Sequence, residues 1–164
     1  MKYGVGDKIV YPMHGAGIIE AIEEREIMGE RQNYYIMRMP IGDMRVMIPM
    51  DNAEEIGLRD VIDESEADRV LAEFQNCQTE MDPNWNKRYR ENMSRIKSGD
   101  IYEVVRVVKN LMFRDKSRGG LSTGERKMLN SAKQILVSEL VVAKNLTQNK
   151  VEQLMNEMIE QELA

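Results

Sequence analysis

The chain has 164 residues, 42% hydrophobic and 31% charged, with a formal net charge of -5. That length suits one medium domain or two small ones with a real core. No apolar run reaches the roughly 18 residues needed to cross a bilayer, and Met1-Lys2-Tyr3-Gly4-Val5-Gly6 lacks a signal-peptide core, so a cytoplasmic location is expected.

The first sixty residues read as β structure. Lys8-Ile9-Val10-Tyr11-Pro12 is a strand that ends at proline, and Met13-His14-Gly15-Ala16-Gly17 has a turn composition. Ile18 to Ile27 is expected as a long strand, with Ile18 and Ile22 on one face and Ile19, Ala21 and Ile27 on the other. Met28-Gly29-Glu30 connects it to a strand over Tyr34–Met39. Met44-Arg45-Val46-Met47-Ile48 alternates, with Met44, Val46 and Ile48 together, until Pro49 stops it. Short strands with Gly/Pro turns suggest a small, strongly bent sheet or barrel.

From about residue 61 the period becomes helical. Asp63 or Ser65 caps a helix running to about Phe74. A second begins near Pro83 and places Trp85, Tyr89, Met93 and Ile96 on one stripe. A third carries Ile101, Val104, Val105, Val108, Leu111 and Met112 and ends at Arg118-Gly119-Gly120. Ser122-Thr123-Gly124-Glu125 is a capping box opening the fourth, which carries Met128 to Val141. Thr147 caps a fifth, with Val151, Leu154, Met155, Met158 and Ile159. The expectation is an α+β chain: a β domain over 1–60 and a compact all-α domain of about five helices over 61–164.

Charge is unevenly spread. Residues 84–133 hold 13 Lys/Arg against 5 Asp/Glu, inside a chain that is otherwise acidic. A basic block of this kind suits local contact with phosphates, and it equally suits a solvated helical surface.

Few constellations suggest catalysis. His14 is the only histidine and has no nucleophile or carboxylate at motif spacing, so a turn role is expected. Gly4-Val5-Gly6 precedes a strand and fails the context for a dinucleotide loop. Cys77 is alone, which excludes a disulfide framework and a paired-cysteine metal site. Fourteen methionines read as adaptable core. The chain is read as non-enzymatic, with no cofactor, metal or small-molecule substrate.

The segment Asp82-Pro83-Asn84-Trp85-Asn86-Lys87-Arg88-Tyr89-Arg90 is the most informative. An aromatic in the first turn of a basic helix can stack on a base or wedge between base steps while cations hold phosphates. Trp85 also lies on the apolar stripe of its own helix, and helical spacing alone slightly favours a core role. Both readings stand on these residues.

From end to end the chain resembles the CarD/CdnL family of bacterial transcription regulators. The resemblance rests on Val5-Gly6-Asp7, Val10-Tyr11-Pro12, His14-Gly15-Ala16, Ile48-Pro49 and Asn52-Ala53-Glu54. It continues through Asn84-Trp85, Arg88-Tyr89, Asn92, Ser98-Gly99-Asp100, Leu121-Ser122, Gly124-Glu125, Ala132, Gln134-Ile135-Leu136 and Glu139-Leu140. It implies a Tudor-like β domain that binds the RNA polymerase β subunit, and a helical domain on promoter DNA at the upstream edge of the melted bubble. In that family a tryptophan at the place of Trp85 is a minor-groove wedge, and residues at the places of Lys87, Arg88 and Arg90 hold the backbone. Arg25 matches a polymerase contact position. At another, where family members carry arginine, this chain has Met47, and Arg45 on the same strand face is the expected substitute.

The sequence reading is thus a monomeric, cytoplasmic transcription regulator, nucleoid-associated through polymerase, that stabilises the open promoter complex. Arg95, Lys97, Arg114, Lys116 and Arg118 are further DNA-contact candidates. An architectural DNA-binding protein, or an adaptor acting without polymerase, are the alternatives.

Overall fold

The computed structural model describes residues 2–78, 82–117 and 119–164. Five antiparallel strands form one sheet in the order β4-β3-β2-β1-β5: β1 Lys8–Tyr11, β2 Gly15–Ile27, β3 Glu30–Met39, β4 Met44–Pro49 and β5 Arg59–Asp60. The β2–β3 hairpin turns on Met28 and Gly29, both at positive φ (53° and 82°), the two-residue geometry that matches strand twist. A 3-10 turn, Met50–Asn52, and a short helix, α1 (Ala53–Ile56), link β4 to β5. These and β5 have too few residues to show a period, and the sequence pattern does not reveal them.

Inside β2 the expected faces are exchanged. The pairing with β3 slips at Glu20: Ile19 stands opposite Met37, but Ala21 stands opposite Ile36. This bulge shifts the two-residue alternation by one. Ile19 and Ile22 therefore share the core face with Tyr35, Met37 and Ile48, while Ile18 turns to the other face with Val10 and Ala16.

Five longer helices follow: α2 Glu64–Asn76, α3 Trp85–Lys97, α4 Ile101–Ser117, α5 Thr123–Lys144 and α6 Gln148–Leu163. Asp63, Asn84, Ser122 and Thr147 each accept a backbone N–H three residues on, which satisfies an orphan donor of the first turn. The second of these helices starts at Trp85, two residues after Pro83, because Asn84 supplies the cap. Val70, Phe74, Val105, Leu111, Leu136 and Met155 lie in the helical core.

Helix α5 joins the two parts. In its C-terminal half, Ser138 Oγ accepts the Ala16 N–H at 2.8 Å. Glu139, 1% exposed as a side chain, accepts both arms of the Arg59 guanidinium at 2.7 Å and the Ile62 N–H at 3.1 Å. Val142 packs on Val10 and Ala16. The other end of the same helix reaches α3, roughly 25 Å away.

Candidate nucleic-acid and protein interfaces

Helix α3 turns an unexpected face inward. Its buried residues are Arg88, Asn92 and Ile96, at steps of four. Tyr89 and Met93 are partly buried beside them, and Trp85, at the N-terminal end, is 42% exposed. The core reading of Trp85 is thereby overturned. The apolar stripe lies along one border of the buried face, and along that stripe burial falls from Ile96 through Met93 and Tyr89 to Trp85.

The indole is nevertheless held. It stacks on Tyr89 with ring centroids 5.1 Å apart and planes 19° from parallel. Its Nε1–H donates to Ser122 Oγ at 3.1 Å. Gly124 lies against its edge, where a Cβ would stand 3.5 Å from Cζ2. Ser122 and Glu125 are readable from sequence as a helix cap, and Tyr89 as an i+4 neighbour. That α5 would bring the cap to the tryptophan is a tertiary fact with no sequence signal.

Arg88 is a correction. It is 3% exposed, and its guanidinium is fully engaged within the protein. Nε donates to Glu125 Oε2 at 2.8 Å, Nη2 to Glu125 Oε1 at 3.2 Å, and Nη1 to the carbonyls of Asp82 and Pro83. A cation so buried and paired does not reach a phosphate without leaving Glu125 uncompensated. The capping box is also half altered: Ser122 Oγ accepts the Glu125 N–H, but the Glu125 carboxylate turns to Arg88. Burial pushes the Glu125 carboxyl up. The hydrogen bond and charge of Arg88, with Arg114 and Ser122, outweigh it and leave the group below the ordinary carboxylate range.

The basic block is partly neutralised by folding. Acidic residues from elsewhere in the chain return to it: Lys87 pairs with Asp82 at 3.2 Å and Lys116 with Glu160 at 3.9 Å. Arg95 meets Glu103 at 3.5 Å. Lys109 is interior; its Nζ caps the end of α2 by donating to the Gln75 and Cys77 carbonyls, and it pairs with Glu162 at 2.7 Å. Among the described residues Arg90, Lys97 and Arg114 form no ion pair. Arg90 and Lys97 are exposed on α3, seven residues and about 10 Å apart, beside a shallow depression lined by Tyr89 and Met93. The charge of Arg114 reaches Glu125, so it stands near the same helix ends. Lys116 faces α6 instead. Arg118 lies outside the described residues.

The sheet offers a second surface. Arg45 and Met47 alternate outward on β4, opposite Arg38 and Ile36, and Arg25 lies on the same face of β2 opposite Gln32. Measured on β3, the positions opposite Arg25 and Met47 are Gln32 and Ile36, four residues or roughly 14 Å apart along the strand. Arg45 donates to Glu20 at 2.7 Å, and Arg25 pairs with Glu23; both pairs are exposed and cheap to exchange. Among the described residues, β4 is an edge strand with one backbone side unpaired.

Two family models match this chain. "CarD-like/TRCF RID domain" matches residues 3–62, and "CarD, C-terminal domain" matches residues 69–156. A Bacillus subtilis (strain 168) protein bearing the name "Putative transcription factor YdeB" is 43% identical over 149 residues, covering 91% of this chain and 97% of that protein.

Proposed function

The chain belongs to the CarD family of transcription regulators, and from that premise we propose that it binds the RNA polymerase β subunit through its sheet and stabilises the open promoter complex through α3. The observation that carries the reading is Trp85: a large aromatic, 42% exposed, held at the start of the helix that also carries the exposed cations Arg90 and, at its far end, Lys97. Lys87, whose surface pair with Asp82 is readily exchanged, completes the phosphate-facing set. Trp85 inserts at the upstream edge of the bubble, where duplex gives way to melted strands. There it replaces part of the lost stacking and obstructs collapse. Base readout is not required, because phosphates and step deformability suffice.

Binding to polymerase supplies the rest. The β2–β4 face with Arg25, Arg45 and Met47, next to the unpaired edge of β4, anchors the protein. The helical part is then held near promoter DNA at high effective concentration, so its own affinity for DNA is weak. That suits a chain of net charge -5 whose basic block is half neutralised by its own acids.

Co-purification with core polymerase tests the anchor. Arg25→Glu and Arg45→Glu each reduce capture of the β subunit, while alanine at Lys87, Arg90 and Lys97 together leaves capture intact. The same triple variant lowers the log–log salt slope of promoter association by roughly one per lost contact. Wild-type capture by both reversals would rule out this face, and an unchanged slope would rule out the cations.

A further inference from the structure

We propose that Ser122, Glu125 and Arg88 are positioning residues for Trp85, fixing the projection of the indole before DNA arrives. This rests on the wedge reading above and adds which groups set the wedge's geometry. The contacts close a ring. Trp85 Nε1–H donates to Ser122 Oγ at 3.1 Å. The same oxygen accepts the Glu125 N–H at 3.2 Å, and its own hydroxyl faces Glu125 Oε1 at 3.4 Å. Both carboxylate oxygens of Glu125 receive Arg88. Arg88 lies one turn after Trp85 and donates to the carbonyls of Asp82 and Pro83, the segment that leads into Trp85. Every member therefore constrains the next, and the ring begins and ends at the tryptophan.

The location of the ion pair strengthens the inference. A buried Arg–Glu pair adds little net stability compared with apolar residues of the same shape, so geometry is the better account of its use. Here it is joined through Ser122 to an exposed aromatic that is stacked on Tyr89 and closed at its edge by Gly124. The rotameric freedom of the indole is lost on folding, and binding need not remove it again.

Trp85 is the only tryptophan, so fluorescence anisotropy and acrylamide quenching of the full chain report this indole alone. Ser122→Gly removes the indole's acceptor but keeps most of the cap, and Ser122→Thr keeps both. Ser122→Gly is expected to raise quenching and lower anisotropy in the free protein at a nearly unchanged melting temperature. The open-complex lifetime is expected to shorten about two- to tenfold, the effect of ordering one side chain on binding. Ser122→Thr restores both signals. Trp85→Ala is measured in parallel. Unchanged quenching and anisotropy in Ser122→Gly would overturn the proposal. So would a more mobile indole with a wild-type lifetime while Trp85→Ala shortens it, and in that case the wedge stands. If Trp85→Ala leaves the lifetime unchanged, the wedge falls and the proposal with it.

Discussion

Arg88 and Trp85 sit one turn apart on α3 in opposite surroundings. Arg88 is sealed against Glu125, and Trp85 projects into solvent. Hydrophobic spacing assigns them the other way round, because it takes apolar residues as inside and cations as outside. A buried cation is legible only with its partner, and Glu125 is 37 residues away in sequence. Stability should follow the structure. Glu125→Ala leaves a buried guanidinium uncompensated and is expected to cost about 3–5 kcal/mol in urea unfolding. Arg90→Ala, on the exposed side of the same helix, is expected to stay within about 0.5 kcal/mol. A loss in Arg90→Ala as large as that in Glu125→Ala would contradict these assignments.

At the level of elements, local chemistry was well written in the chain. Asp63, Ser122 and Thr147 cap the helices they precede, and Met28-Gly29 makes the hairpin, whereas α3 starts after an Asn84 cap and not at Pro83. What escaped was non-local or short: the bulge at Glu20, which exchanges the faces of β2, and the brief α1 and β5. The junction of α3 and α5 also has a pH signature. Glu125 titrates below the ordinary carboxylate range, and Asp82 does so too, chiefly because it accepts the Asn84 N–H and then because of Lys87. A depressed folded pKa means that the unfolded chain takes up the proton first. The stabilisation is complete above the ordinary carboxylate range and is lost as pH falls through the lower folded value. Glu125→Gln is therefore expected to flatten the acid limb of unfolding free energy against pH. An acid limb as steep as that of the wild type would exclude Glu125 as a contributor.

Across the whole molecule, α5 holds the sheet at Ser138, Glu139 and Val142 and the tryptophan at Ser122. Gly15 is fixed by this seam: it has φ of 124°, and a Cβ would fall 2.5 Å from Ser138 Oγ. Gly15→Ala is strained on both counts, and Arg59→Ala strips the partner from a buried carboxylate at a cost of about 3 kcal/mol. Both are expected to lower the melting temperature and to broaden or split the calorimetric transition as sheet and helices uncouple. A sharp single transition at the wild-type temperature would show that the seam carries no load. The role of Trp85 is tested most directly by Trp85→Ala, with open-complex lifetime and melting temperature measured on one preparation. Loss of stacking on DNA is expected to shorten the lifetime by a factor of about 5 to 150, equivalent to roughly 1–3 kcal/mol. Polymerase capture is retained, and folding stability falls by only about 1 kcal/mol, the value of the lost Tyr89 stack. A steep drop in melting temperature, with a normal open-complex lifetime in the folded fraction, would contradict it.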